Sequence, residues 1–223
     1  MKFSDALRWI RNMTNFIPPI KPVIDKDEPE PDKNIIHRAN DKVSKDYLLE
    51  YGRSRGIPES VLQKFFKQAT LYSRKKEKVF YALAMQNDWK GYDLRNKGYK
   101  GCVGKKYITF IRGTETAKQE GVNVFEGAFD FVTVVTQNDG KPLKYDSIIL
   151  HSLSNLRKAT AYIKNYPYRY CHTWMDNDEP GKQAVLSWEE FCNKQKGLIH
   201  VPMNEFYLPY KDVNAHHMAK LEL

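Results

Sequence analysis

The sequence predicts an α/β fold in three parts. A mostly parallel sheet with flanking helices fills residues 121–223, a small, basic α+β unit precedes it over residues 46–120, and an N-terminal helix with a proline-rich tether occupies residues 1–45. Three observations carry this. After Gly121, short apolar runs alternate with stretches of helical spacing, the pattern of parallel strands joined by right-handed crossovers. Before it, a run of strand formers, a turn and a second short run read as an antiparallel hairpin. Two of the later apolar runs end in carboxylates, at the sheet edge where open α/β proteins bind their ligands.

Phe3, Ala6, Leu7, Ile10 and Met13 follow helical spacing, and Pro18, Pro19, Pro22, Pro29 and Pro31 then interrupt any regular element. Residues 14 to about 40 therefore read as a tether, and a helix this short suggests a missing neighbour because alone it is marginal in water. From Asp46 to about Gln68, the positions of Tyr47, Leu48, Tyr51, Val61, Leu62, Phe65 and Phe66 predict two helices, parted by Arg55-Gly56-Ile57-Pro58-Glu59. Residues 79–85 are rich in strand formers, and Asn87-Asp88 supplies a turn before a second strand at 91–95. Beyond it, Arg95, Lys97, Lys100, Lys105 and Lys106 interleave with Tyr92, Tyr99 and Tyr107. That mixture suits a groove that follows a nucleic-acid backbone, and equally an ordinary lysine-rich hairpin face. Strands are expected at 122–125, 147–150 and 170–175, with helices around 128–137 and 154–165 between them. A further helix fits 181–193, a strand 198–201 and an extended stretch 204–208.

A net charge of +9 over 223 residues is compatible with a polyanionic partner, although charge alone is a weak signal. Cys102, Cys171 and Cys192 form no Cys-x-x-Cys pair, so neither a disulfide framework nor a zinc site is legible and a reducing cytoplasm is expected. No apolar run approaches the roughly 18 residues of a membrane span, and no signal-peptide core opens the chain.

Glu126 closes one apolar run, and fifty residues on another ends in Asp176-Asn177-Asp178-Glu179-Pro180-Gly181. If both are strands of one parallel sheet, Glu126, Asp176 and Asp178 converge. Carboxylates about 4 Å apart repel by roughly 4 kcal/mol per pair at an effective dielectric near 20. Such a cluster persists with raised pKa values or with a divalent cation, and hard oxygen ligands point to Mg2+ or Mn2+. Gly127 would permit close approach behind the glutamate, and Gly181 would let a helix start near a phosphate. Asp130 either favours the start of its helix or joins the metal set. His151 and His172 flank strands and read as packed or hydrogen-bonded; the adjacent His216 and His217 would diverge on a helix.

Glu126-Gly127-Ala128-Phe129-Asp130-Phe131 and Asp176-Asn177-Asp178-Glu179-Pro180-Gly181-Lys182-Gln183-Ala184 together resemble the two acidic motifs of the toprim domain in its bacterial DNA primase form, a Rossmann-like fold. Upstream, Tyr47-Leu48 with Arg55-Gly56-Ile57, Gly91-Tyr92-Asp93-Leu94-Arg95-Asn96 and Lys105-Lys106-Tyr107-Ile108 are similar to the primase core-opening segment, glycine-arginine strand and lysine loop. With Ser152-Leu153-Ser154-Asn155-Leu156 and Lys211-Asp212-Val213-Asn214, the set most resembles the toprim primase-like proteins of Bacteroidetes mobile elements. Asn214 stands where an acidic residue is common in cellular primases, a departure that speaks against a fourth or fifth metal-linked carboxylate.

The resemblance implies a primase-type nucleotidyltransferase acting on single-stranded DNA and nucleoside triphosphates in replication or transfer of a mobile element. In it, Glu126, Asp176 and Asp178 would hold one or two Mg2+ or Mn2+ ions, with Asp212 and the adjacent Lys211 in support, and Glu126 would alternatively act as a general base. Arg95, Lys105 and Lys106 would bind template or nucleotide phosphate, with Lys182 as a further candidate. The chain has no cysteine-histidine cluster and stops soon after His217, so a zinc-binding module or a helicase is expected as a separate partner. A toprim nuclease and a weakly catalytic single-stranded DNA-binding accessory protein are the alternatives.

Overall fold

The computed structural model describes residues 34–73, 77–114, 120–164 and 166–223. The expected N-terminal helix and the tether up to residue 33 lie outside them. Beyond Pro31 the chain regains its backbone donors, and the last part of the expected tether is a strand. This β1 (Asn34–Asn40) pairs antiparallel with β2 (Lys67–Ser73). β3 (Lys78–Gln86), β4 (Tyr92–Asn96) and β5 (Tyr99–Val103) follow in chain order, all antiparallel, so β5 is the last strand of its sheet. Asn87 makes the turn between β3 and β4. Its Oδ1 accepts from the backbone N–H of Trp89 and Gly91, at 3.0 and 2.9 Å, an arrangement asparagine favours.

Two helices, α1 (Asp46–Ser54) and α2 (Glu59–Phe65), lie between β1 and β2, parted where proline and glycine predicted. The second stops short of the expected Gln68. Phe66 is already extended, and Gln68 belongs to β2, where its buried Oε1 accepts from the backbone N–H of Ser44 and Lys45 at 3.0 and 2.9 Å. A helical Gln68 would abandon those two donors at the entrance to α1.

The second sheet runs β10-β9-β7-β8-β6. β7 (Gly121–Phe125), β8 (Asp146–Ile149), β9 (Tyr170–Trp174) and β10 (Ile199–Pro202) are parallel, and the short edge strand β6 (Thr109–Ile111) is antiparallel to β8. Its crossovers are α3 (Ala128–Gln137), α4 (Leu156–Ile163) and α5 (Glu179–Asn193), and α6 (Val213–Lys220) closes the chain. All five residues of β7 are buried, as befits a central strand covered on both faces. Side chains alternate across the sheet: Val122 and Val124 join one core with Ile148, Tyr162 and Trp188, while Phe125 joins another with Phe131 and Val132.

Leu48, Leu62 and Phe66, with Leu83 and Met85 of β3, belong to the same core as Phe125, so the two sheets share it. The partly buried Tyr51 and the buried Phe66 meet Phe129 at ring separations of 5.4 and 5.6 Å, and a fully buried ring such as Phe66 contributes about 1.5–3 kcal/mol. The expected extended stretch at 204–208 is instead a 3-10 turn, Asn204–Tyr207. It turns Tyr207 inward, where its hydroxyl donates to the Met175 carbonyl at 2.6 Å. Among the described residues no helix is long and apolar enough to cross a membrane.

Candidate functional site

β7 and β9 are adjacent and end level with one another, Phe125 opposite Trp174. The residues that leave them therefore emerge side by side, although fifty positions separate them. The Glu126 N–H donates to the Trp174 carbonyl at 3.1 Å, and the Asp176 N–H donates to Glu126 Oε2 at 3.1 Å. Asp130 lies one turn into α3, where its Oδ2 accepts from the Gly127 N–H at 3.0 Å. A Cβ on Gly127 would come within 2.9 Å of that oxygen.

Two further aspartates begin helices. Asp178 Oδ1 accepts from the Gly181 N–H at 3.0 Å at the start of α5, and Asp212 Oδ1 accepts from the Ala215 N–H at 2.6 Å at the start of α6. Gly181 is the tightest position, because a Cβ there would stand 2.0 Å from the Asp176 carbonyl oxygen. Lys211 fastens the two halves together: its ammonium lies 3.2 Å from Asp176 Oδ2 and 3.0 Å from Asp178 Oδ2.

The grouping differs from what spacing alone emphasised. One carboxylate oxygen from each of Asp130, Asp176 and Asp212 lies within 4.8 Å of the other two, whereas both oxygens of Asp178 are engaged by Gly181 and Lys211. Burial holds the Asp130 carboxyl well above its ordinary value, and Asp212, Asp176 and Glu126 push it further. Burial, then the Asp176 charge, lifts Glu126 to about 7. Asp176 is also raised, since its burial outweighs the attraction of Lys211. Asp178 is lowered, first by the Gly181 N–H and then by Lys211 against its slight burial. Lys211 is raised above the usual lysine range by the two aspartates. Three hard oxygen donors crowded within 4.8 Å of one another are a donor set that fits Mg2+ or Mn2+.

These acids form one wall of a cleft of about 1220 Å3. Glu126, Asp130, Asp176 and Asp212 face Arg95, Lys97, Lys100 and Lys106 of the first sheet and its following loop. Arg95 Nη1 is held by Asp93 Oδ1 at 3.0 Å and by the Leu94 carbonyl at 3.0 Å. The Lys106 carbonyl accepts from Lys158 Nζ at 2.9 Å, which fixes the lysine loop against α4. Lys105 does not line the cleft; its ammonium sits 3.7 Å above the Trp89 ring. Lys182 is exposed on α5, outside the cleft lining, and Asp178 is likewise absent from that lining. Asn214 is fully buried away from it, with its Nδ2 donating to the Arg55 carbonyl at 2.9 Å and to Thr133 Oγ1 at 2.8 Å. Sequence reasoning passed over Asp93. The available signal was the period of a strand, which puts Asp93 and Arg95 on one face.

Residues 37–104 match a family described as Domain of unknown function (DUF8464). No curated protein matches the sequence. Among solved structures, the primase fragment of the bacteriophage T7 primase-helicase protein aligns over 75% of this chain and 69% of its own, with a TM-score of 0.53 and 20% identity. A chain in the structure of bacteriophage T7 lagging-strand DNA polymerase interacting with primase domains of two gp4 subunits bound to an RNA/DNA hybrid and dTTP gives a second alignment. It covers 76% of this chain and 85% of that one, with a TM-score of 0.50 and 20% identity. At this identity the likeness is one of fold: a mixed α/β protein with a mostly parallel sheet and flanking helices, as the toprim resemblance implied.

Proposed function

We propose that the chain is a primase-type nucleotidyltransferase of the cytoplasm, making short primers on single-stranded DNA from nucleoside triphosphates for a mobile element. The single observation that carries this reading is the cleft itself, with a carboxylate wall able to hold a divalent cation opposite a cationic wall able to hold phosphate. The T7 primase fold and the primase domains bound to an RNA/DNA hybrid and dTTP lend it further support.

Asp130, Asp176 and Asp212 would hold Mg2+ or Mn2+, with Glu126 and Asp178 beside them. When bound, the cation would supply charge neutralisation at the reacting phosphate and orient its oxygens. The residues do the rest. Lys211 bridges Asp176 and Asp178 and partly neutralises them. Glu126, lifted to about 7, can take up a proton from an attacking 3′-hydroxyl near neutral pH. Arg95 offers a planar fork to phosphate, while Lys100 and Lys106 act as point charges along the same wall. Lys105, outside the cleft lining with its ammonium over the Trp89 ring, adds positive charge nearby.

The test is incubation with single-stranded DNA, ribonucleotides and deoxyribonucleotides, and Mg2+ or Mn2+, beside an Asp176→Ala control. New oligonucleotides that disappear in the control support priming. Shortened DNA identifies a nuclease instead, and DNA binding without any product identifies an accessory module.

A further inference from the structure

The charge of the chain is divided unevenly. Asp25, Asp27, Glu28, Glu30 and Asp32 crowd together beside a single cation, Lys26, although the whole chain carries +9. Blocks of like charge resist burial and commonly serve as interaction tails. Pro29 and Pro31 disfavour a helix there. In an extended, proline-rich backbone of about 3.1 Å per residue, Asp25, Asp27, Glu30 and Asp32 would recur about every 6–9 Å. Such a row of anions resembles the phosphates of a single strand.

The fold fixes where this row is attached. It ends just before Asn34, where β1 begins. β1 is antiparallel to β2, β2 to β3 and β3 to β4, so β4 runs opposite to β1 and finishes at the end of the sheet where β1 starts. There the chain turns back through Lys97 into β5, which carries Lys100, and β1 itself comes against β5. Lys97, Lys100 and Lys106 line the cleft, all three are exposed, and none is in a salt bridge among the described residues. The acids are thus joined to the sheet beside the cationic wall. Residues 25–33 can span up to about 30 Å, whereas strands of five residues such as β4 and β5 are about 17 Å long.

We propose that residues 25–32 dock on the cationic wall at Lys97 and Lys100 and that nucleic acid displaces them. Attachment to β1 gives the segment an effective concentration in the millimolar range, so weak, salt-screened contacts suffice to hold it. Isolated anions compete poorly with it, and a single strand with many phosphates displaces it. This inference rests on the reading of the wall as a nucleic-acid surface, but the docking can be measured without nucleic acid.

The experiment joins carboxylates to lysine amines in the full chain with a carbodiimide and maps the products by mass spectrometry. Cross-links from residues 25–32 are expected at Lys97 and Lys100, in clear excess over the exposed Lys194, Lys196 and Lys220 of the second sheet's side. Oligothymidylate should remove them. A full-length variant with Asp25→Asn, Asp27→Asn, Glu28→Gln, Glu30→Gln and Asp32→Asn is expected to bind oligothymidylate about tenfold tighter at about 50 mM salt, and no tighter than the parent at about 0.5 M. That gain should vanish when Lys97→Gln and Lys100→Gln are also present, which a general effect of net charge would not do. Cross-links spread evenly over lysines of both sheets, or a gain that survives Lys97→Gln and Lys100→Gln, would overturn the proposal. If the parent chain binds no oligothymidylate, the nucleic-acid reading of the wall fails, while the cross-links still decide where residues 25–32 dock.

Discussion

The Asp176 N–H donates to Glu126 Oε2 across 3.1 Å, joining two residues that leave neighbouring parallel strands. This bond stabilises the ionised glutamate, yet burial and the Asp176 charge prevail and Glu126 rises to about 7. Glu126 and the raised Asp130 and Asp176 therefore bind protons in the folded protein that the unfolded chain has already released. Their contribution favours the folded state fully below the ordinary carboxylate range, and it is lost as pH rises, through about 7 for Glu126. The lowered Asp178 acts in the opposite sense only under more acidic conditions. Without metal, the melting temperature should thus rise as pH falls from 8 toward 5, and Glu126→Gln should flatten the curve near neutrality. Mn2+ affinity should run the other way, weakening as pH falls through the same window, as calorimetric titration would register. A melting temperature independent of pH would contradict the crowding of these acids.

Lys211 stands between Asp176 and Asp178. It is more than half exposed, so solvent discounts the pair energies to about 1 kcal/mol or less. Lys211→Ala should lower the metal-free melting temperature by about 2–4 °C, with saturating Mg2+ restoring most of the loss. A variant equally destabilised with and without Mg2+ would show that the lysine does not balance these carboxylates.

Gly181→Ala would drive a methyl group to within 2.0 Å of the Asp176 carbonyl oxygen. Because that obstacle is backbone, the start of α5 must move away from Asp176. We expect a loss of about 3 kcal/mol in chemical denaturation together with weakened Mn2+ binding. Retention of both would mean that the turn is pliable.

Asn214→Asp should harm the protein. Asn214 Nδ2 donates to the Arg55 carbonyl and to Thr133 Oγ1, while the Thr133 hydroxyl already donates to the Phe129 carbonyl. A carboxylate would face acceptors in a site with no exposure. The expected cost is about 1–3 kcal/mol by urea denaturation, and an unchanged midpoint would refute this account.

The regular parts of the fold were legible because their periodicity is enforced by burial on both sides. Val122, Val124 and Phe125 point to opposite cores, and a run so apolar has few other uses. The missed strands are those whose partners supply the information. β1 follows a proline run and has Asn at both ends, β6 spans three residues, β5 carries Gly101 at its centre, and β2 opens on the polar pair Lys67-Gln68, its start set by what the Gln68 amide must reach. For the same reason the acids were legible as a group but not in their individual attachments. Asp130 and Asp178 both stand close to a helix start in sequence, and only the packing of α6 brings Asp212 alongside Asp130 while Lys211 draws Asp178 aside. His151 is packed and hydrogen-bonded as its place beside a strand suggested, but its partner Thr109, on a distant strand, was not legible.

Among the described residues β5 ends the order of its sheet, and Tyr99, Lys100, Gly101 and Cys102 of that strand border the cleft. Such a rim would ordinarily invite a stranger's strand to dock. Lys97 and Lys100 guard it with like charges that repel an identical copy, so this margin resists aggregation while staying open to anionic visitors.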